Sequence, residues 1–423
     1  IENSSKWIET ETMGEYFRQN LPTERIYLPC ASYSEMLEWS DGYFKNFLTR
    51  YPEANNMHKK MLSVSKRLKS TLVKIRIKNK MLLEAQQGLY MAQSNDGYWH
   101  GVFGGLYLNH LRYNVYSSLI KAEVILDALR PSREKLLNLE TTDFDCDGQD
   151  ELIIENKHMK IYIDMAEKGS IFELDYKDKS INIINTLARR KEKYHDKIKD
   201  SALKKSCVTQ GSVSIHNMEK DIPEGFDRLL VYDRYRKSCL LEYFLENQTS
   251  MDNFLSVSFL EVDSSVEGYK LISKEKSTGG ISVCLKKELK VKNLPFTLEK
   301  KIGMEENSAV LNFKYSLRNN SANGWNGKFG IEFNFSLWDK ILAARGIRHE
   351  TNSFPIRDSW FGINIDFNLD KTAEVWHFPI ETVYESEKGF EKNFQALSVL
   401  FNWNMNLAPD EIWTVNIVQD IKS

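Results

Sequence analysis

Residues Ala309–Leu317 read AVLNFKYSL, in which Leu311, Phe313, Tyr315 and Leu317 alternate with Asn312, Lys314 and Ser316. A period of two places one set on a buried face of a strand and the other on its solvated face. From about residue 150 onward, short runs of alternating or β-branched character recur. They are ELIIEN (151–156), MKIYIDM (159–165), SIFELDY (170–176), RLLVYDRY (228–235), SVSFLEV (256–262), GISVCLKKEL (280–289), FGIEFNFSL (329–337), FGINIDFNL (361–369) and EIWTVNIVQ (411–419). Turn residues separate them at strand-plus-loop spacing, as in STGGIS (277–282), which reads as a hairpin turn. The pattern predicts a large antiparallel β-sandwich over residues 136–423. Within it, the charged stretch 188–205 is expected to be an exposed connection or short helix.

Upstream, the period changes to that of a helix. Met57, Met61, Val64, Leu68, Leu72 and Ile75 recur every three or four residues, so they share one helical face. A second helix carries Met81 or Leu82, Ala85, Leu89 and Ala92. A third carries Leu108, Leu111, Val115, Leu119, Ala122 and Leu126, before Pro131 stops it. Residues 51–135 are therefore expected to form a helical bundle. Residues 1–50 hold a brief apolar run, Ile26–Leu28, then Pro29 and a helix with Ser32 and Glu35 spaced as a capping box. That order suits one βα unit, whose partner strands would precede Ile1. The expected class is multidomain α+β: the end of an incomplete (β/α) barrel, a helical bundle, then the sandwich.

Composition narrows the function. A net charge of -2 gives no reason to expect nucleic acid or an anionic membrane as partner. No apolar run reaches the roughly 18 residues of a membrane span. The five cysteines, Cys30, Cys146, Cys207, Cys239 and Cys284, are scattered without a CxxC pair, which argues for a reducing, cytoplasmic setting. No HExxH, GxSxG, phosphate-binding or dinucleotide-binding motif occurs. Trp325, Trp338, Trp360, Trp376, Trp403 and Trp413 lie in the β region, and most are expected to be core.

Two local constellations carry chemistry. Asp143, Asp145 and Asp147, with Gly148 next, copy the first half of a calcium loop, and Glu151 stands where it could close a shorter one. The equally simple reading is a solvated acidic turn. Any calcium here would be structural, and no other cofactor is expected. The second constellation is SNDGYWHGVFGG (94–105), which joins two long helices and gathers Asp96, Tyr98, Trp99 and His100 beside glycines. It could offer a stacking face and polar groups to a ligand. It could equally be a packed turn with Trp99 in the core.

A resemblance sharpens this choice. LYMAQSNDGYWHGVFGGLYLNHLRYNVYSSLIKAE (89–123) closely resembles the helical segment that follows the barrel in glycoside hydrolase family 57, the α-amylase and 4-α-glucanotransferase family. IYLPCASYSEMLEW (26–39) resembles the end of that barrel. ELDYKDKSINIINTLARRKEKYHDKI (173–198) and VWHFPIETVYESEKGFEKNFQALSVLFNW (375–403) resemble its C-terminal, galactose mutarotase-like sandwich. One departure is CLLEYF (239–244), where a His-containing stretch is expected.

The resemblance implies a retaining enzyme acting on α-1,4-glucans and maltooligosaccharides, by hydrolysis or transfer. Such an enzyme uses a Glu nucleophile and an Asp acid/base about 5–5.5 Å apart. In the family both lie on strands before the segment matched by residues 1–50. No catalytic residue is therefore expected in this chain, and Glu35, Glu38 and Glu84 are better explained as capping or surface groups. The missing N-terminal barrel becomes a partner, and a homodimer is allowed. By the resemblance, Asp96 and Trp99 line the glucan subsites, Asp96 accepting from sugar hydroxyls and Trp99 stacking on a ring. The alternative is a non-catalytic carbohydrate-binding or structural protein derived from the family.

Overall fold

The structure is a computed structural model. It describes residues 7–28, 36–37, 40–43, 45–75, 79–101, 104–130, 137–203, 222–264, 268–339, 344–386 and 389–423. The chain divides into two compact units, Ile1–Asn46 and Phe47–Ser423. In the first, helix α1 (Met13–Gln19) opens on a capping box between Thr12 and Glu15. Ile26, Tyr27 and Leu28 are exposed and lie in no strand, contrary to the sequence expectation. A strand exists only through its partners, and no described residue pairs with these three. Ser32, Glu35 and Glu38 lie outside the described residues.

The division falls at the first residue of α2 (Asn46–Arg50), which is followed by α3 (Pro52–Lys74), the latter carrying proline at its first position, where no N–H is needed. Helix α4 (Lys80–Ala92) is capped by Asn79, whose side chain accepts from Met81 N at 2.9 Å. Glu84 is on its exposed surface. After the 94–105 connection comes α5 (Asn109–Ala128), which packs on both α3 and α4. Met57, Val64 and Leu68 of α3 and Leu82, Ala85 and Leu89 of α4 are buried, as the helical period requires.

Among the described residues, the β region holds two antiparallel sheets. One has five strands in sequential order: β1 (Asn138–Thr142), β2 (Glu151–Glu155), β3 (Met159–Asp164), β4 (Ser170–Tyr176) and β5 (Ile181–Asn182). The large sheet has 11 strands: β6 (Leu241–Leu245), β7 (Asp263–Ser264), β8 (Lys270–Ser277), β9 (Gly280–Val291), β10 (Leu294–Glu305), β11 (Val310–Asn319), β12 (Trp325–Phe335), β13 (Gly346–Asp358), β14 (Ile363–Ser386), β15 (Gly389–Leu407) and β16 (Ile412–Lys422). Short helix α6 (His195–Leu203) lies between the two sheets in sequence, and α7 (Met251–Leu255) follows β6. Residues from both sheets share one core, Ile161, Ile163 and Leu174 meeting Leu285, Phe313 and Phe333. In β11 the alternation is as read, with Leu311, Phe313, Tyr315 and Leu317 buried.

Three departures are informative. RLLVYDRY and SVSFLEV form no strand; only an isolated bridge joins Glu261 to Leu245. Their polar groups bind elsewhere: Asp233 takes Arg189, and Glu261 takes Lys168 and Tyr235. Strands β2 and β4 are buried throughout because the small sheet is covered on both faces. The large sheet lies against one face, and α3 lies against the other. There Lys60 of α3 binds Glu173 and Asp175 of β4 and Glu123 of α5.

The charged stretch 188–205 departs only in part. Its expected short helix is present at His195–Leu203, with Asp196, Lys197, Lys199 and Asp200 exposed, but Arg189 pairs with Asp233, Arg190 with Glu53 and Glu192 with Arg50, so its first residues are bound into the interior. Those charges have partners distant in sequence, which makes a run of Arg, Lys and Glu read falsely as solvent-facing.

Candidate functional site

The connection between α4 and α5 is built as two tight turns clamped on each other. Helix α4 ends at Ala92, and Gln93 N donates to Leu89 O at 3.1 Å. A 3-10 turn, Asn95–Tyr98, follows, and Tyr98 OH folds back to donate to Ala92 O at 2.6 Å. A second 3-10 turn spans Gly105–Tyr107, with Leu106 N donating to Trp99 O at 2.8 Å. Gly105 must be glycine twice over. Its φ is +50°, and a Cβ there would lie 2.2 Å from Trp99 O.

This geometry separates the two residues assigned to the glucan. Asp96 is exposed at the rim of the loop. Trp99 is 8 % exposed, its ring 6.1 Å from that of Phe47 and lying over Gly101, where a Cβ would meet Cζ3 at 2.3 Å. Asp96 therefore faces the space outside the loop, while Trp99 forms its floor and presents only a remnant of its surface.

His100 is fully buried beneath the loop. Its Nδ1 is 3.2 Å from Gly104 O and its Nε2 is 3.1 Å from Tyr194 OH. A neutral ring satisfies both, Nδ1–H donating to the carbonyl and Nε2 accepting from the phenol. Burial drives its pKa down to about 3, outweighing the carbonyl contact, so the ring is neutral across the physiological range.

The far side of the loop is nailed to the sandwich. Arg112 of α5 is fully buried, with Nε donating to Asn185 Oδ1 at 3.0 Å and Nη2 to Gln395 Oε1 at 2.8 Å; Nη1 binds Leu106 O. Gln395 Nε2 and Asn393 Nδ2 of β15 both donate to Tyr107 O, at 2.8 and 2.7 Å. Tyr107 OH and Tyr51 OH donate to Glu192 Oε1 at 2.8 and 2.7 Å, and Arg50 holds Glu192 Oε2 at 2.7 Å. Sequence reasoning missed His100, Arg112, Glu192 and Gln395 as supports. The one available signal was Arg112 and Tyr116 amid the apolar stripe of α5, a charge where the helix turns inward.

The acidic loop closes on itself. Ligand oxygens of Asp143, Asp145 and Glu151 lie within 4.8 Å of one another, and Asp147 is not part of that group. Asp147 instead takes Gln149 N on its carboxylate at 2.7 Å and donates its own N–H to Asp143 and Asp145 at 3.1 and 3.2 Å. Glu151 is buried and accepts from Phe144 N at 2.6 Å. Burial, and then the nearby charges of Asp145 and Asp164, push its carboxyl up to about 7 despite that hydrogen bond. The donor set is all carboxylate oxygen, as a hard cation requires, and a cation would offset the repulsion.

Comparison with known proteins locates the chain. The C-terminal model of α-amylase/4-α-glucanotransferase matches residues 143–417, and its middle-domain model matches residues 42–126. Alpha-amylase 1 of Dictyoglomus thermophilum is 33% identical over 95% of this chain and 62% of its own length. The 4-alpha-glucanotransferase of Thermococcus kodakarensis is 31% identical over 94% of the chain and 61% of its own. The crystal structure of 4-alpha-glucanotransferase from Thermococcus litoralis superposes with a TM-score of 0.76 at 29% identity, over 97% of this chain and 60% of that one. The chain thus spans about three fifths of the length of these relatives. It belongs to the α-amylase/4-α-glucanotransferase family, and carries that family's middle and C-terminal parts.

Proposed function

We propose that residues 1–423 are the C-terminal part of a retaining, cytoplasmic enzyme that hydrolyses or transfers α-1,4-glucan chains, with the catalytic Glu and Asp outside this chain. The observation that carries the reading is the 94–105 loop. It is a braced turn with one exposed carboxylate, set in a chain matched over 95% and 94% of its length by an amylase and a glucanotransferase. Asp96 accepts hydrogen bonds from sugar hydroxyls, and Trp99 supports the ring with its remaining exposed edge. His100, Arg112, Glu192 and Gln395 touch no sugar; they hold the loop in place before substrate arrives, which lowers the ordering cost of binding. The missing barrel supplies the acid, the nucleophile and the rest of the cleft.

The test is an assay of residues 1–423 with maltoheptaose. Neither glucose release nor chain transfer is expected. Turnover by the purified chain would overturn the placement of the catalytic pair.

Asp143, Asp145 and Glu151 would hold calcium, which would supply positive charge to a strained acidic turn and take no part in the reaction.

A further inference from the structure

Trp325, Trp376 and Trp403 are buried, as expected of sandwich tryptophans, but Trp360 is 70 % exposed. An indole left in water costs hydrophobic stabilisation, so a rigidly presented one calls for an explanation. Trp360 sits in the turn between β13 and β14, and its ring centroid is 6.1 Å from that of Trp338, just after β12, with 41° between the planes. The backbone on both sides of the pair is pinned. The buried Asp358 accepts from Phe361 N at 2.8 Å and from Trp338 N at 2.6 Å, stapling the turn to the end of β12. Asp339 accepts from Ser359 N and Oγ at 3.1 and 2.6 Å. Trp338 rests on Tyr113 of α5 and on Phe361, with centroids 5.3 and 5.1 Å away.

Polar groups flank the turn that carries Trp360: Ser359, bonded to Asp339, and Lys179, whose Nζ is 3.5 Å from where a Cβ of Gly362 would lie. A narrow aromatic surface with donors and acceptors at its edge suits a sugar better than a protein. A pyranose lays its C–H face on a ring while its hydroxyls point outward. The tilt selects the type of chain. Coplanar rings match a flat ribbon of sugars, whereas rings inclined at 41° match a chain that curves from one residue to the next, as α-1,4-linked glucose does.

The surface is separate from the 94–105 loop. Gly97 packs on Leu111 and Val115 of α5, while Tyr113 lies half a helical turn round between them. The two features therefore lie on opposite sides of α5, with the helix between them.

We propose that Trp360 and Trp338 form a second α-glucan-binding platform on the β-sandwich, where a long chain is held away from the cleft. This rests on the α-glucan reading above.

The test compares the full-length enzyme, barrel included, with its Trp360→Ala variant by mobility in native gels containing amylose, and by turnover of maltotriose, a chain of only three sugars. The variant should lose about tenfold in amylose affinity, some 1.4 kcal/mol, with unchanged maltotriose kinetics and melting temperature. Trp360→Tyr should keep most of the retardation. Equal retardation of wild type and Trp360→Ala would overturn the platform. So would a change in sedimentation with retardation intact, which would make the patch a protein interface. Wild-type turnover without retardation would remove the platform and leave the α-glucan reading standing. Absence of both would remove that reading too.

Discussion

Lys60 Nζ of α3 lies 2.7 Å from Glu173 Oε1 of β4, and neither side chain reaches solvent. Asp175 and Glu123 complete the cage, with Tyr162 OH at 3.2 Å. Burial alone would push the amine down, but the three carboxylates hold it well above its usual range. Lys60→Met should therefore destabilise the protein by about 3–5 kcal/mol, because it strands buried carboxylates. Chemical denaturation measures this, and a loss below about 1 kcal/mol would show that the cage is hydrated. Adding Glu173→Gln and Asp175→Asn to Lys60→Met should recover part of the loss.

Asp96 is exposed, so Asp96→Ala should leave the melting temperature unchanged. A hydrogen bond to a charged acceptor contributes about 1.5–3 kcal/mol, so maltooligosaccharide affinity of the intact enzyme should fall roughly 10- to 100-fold. Calorimetric titration with unchanged affinity would remove Asp96 from the subsite.

Trp99 makes the opposite prediction. As a floor residue, Trp99→Ala should cost about 3–5 kcal/mol of stability along with affinity. Trp99→Phe should keep the fold while weakening binding. Thermal melts of both variants separate packing from contact with sugar.

The buried neutral His100, with a pKa near 3, makes the loop acid-sensitive. The unfolded chain takes up a proton below about pH 6.5 and the folded chain does not. The stability this histidine contributes is thus whole above pH 6.5 and falls by up to about 1.4 kcal/mol per pH unit between 6.5 and 3. His100→Gln should flatten that slope in denaturation curves at successive pH values, even if its plateau stability is lower.

Glu151 works in the reverse sense, since its folded pKa is raised to about 7. Without a divalent cation, its contribution is whole at low pH and is lost as pH rises through 7. Melting in chelator should show this decline, and Glu151→Gln should abolish it. Added calcium should cancel it and raise the melting temperature. No calcium response at pH 8 would leave the acidic turn without a cation.

Much of the large sheet was legible, and for a clear reason. β9, β10 and β11 each have one face in the core, so Val283, Leu298 and Phe313 alternate with polar residues. The small sheet obscured its own pattern, because a strand covered on both faces, such as SIFELDY, hides Glu173 and Asp175 behind a lysine 113 and 115 residues away. The loop itself was recognisable, and Trp99 in its core was one of two readings that the sequence could not decide between. Burial there depends on Gly101 and Phe47 meeting the indole from two sides, and a sequence window sees only one of them. The supports from 185 to 195 were illegible for the same reason: Glu192 makes sense only beside Tyr51, Tyr107 and Arg50.

The ties of Arg112 to Asn185 and Gln395 also set where this protein can be cut and rejoined. A seam placed between the end of α5 and β1 follows the apparent boundary of helices and strands. Any graft made there from a distant cousin would inherit half of two buried electrostatic cages, and would require Lys60, Glu123, Arg112 and their counterparts to be transplanted together. A join close to Phe47 severs none of them, so the segment that behaves as a transferable block runs from there to the last strand.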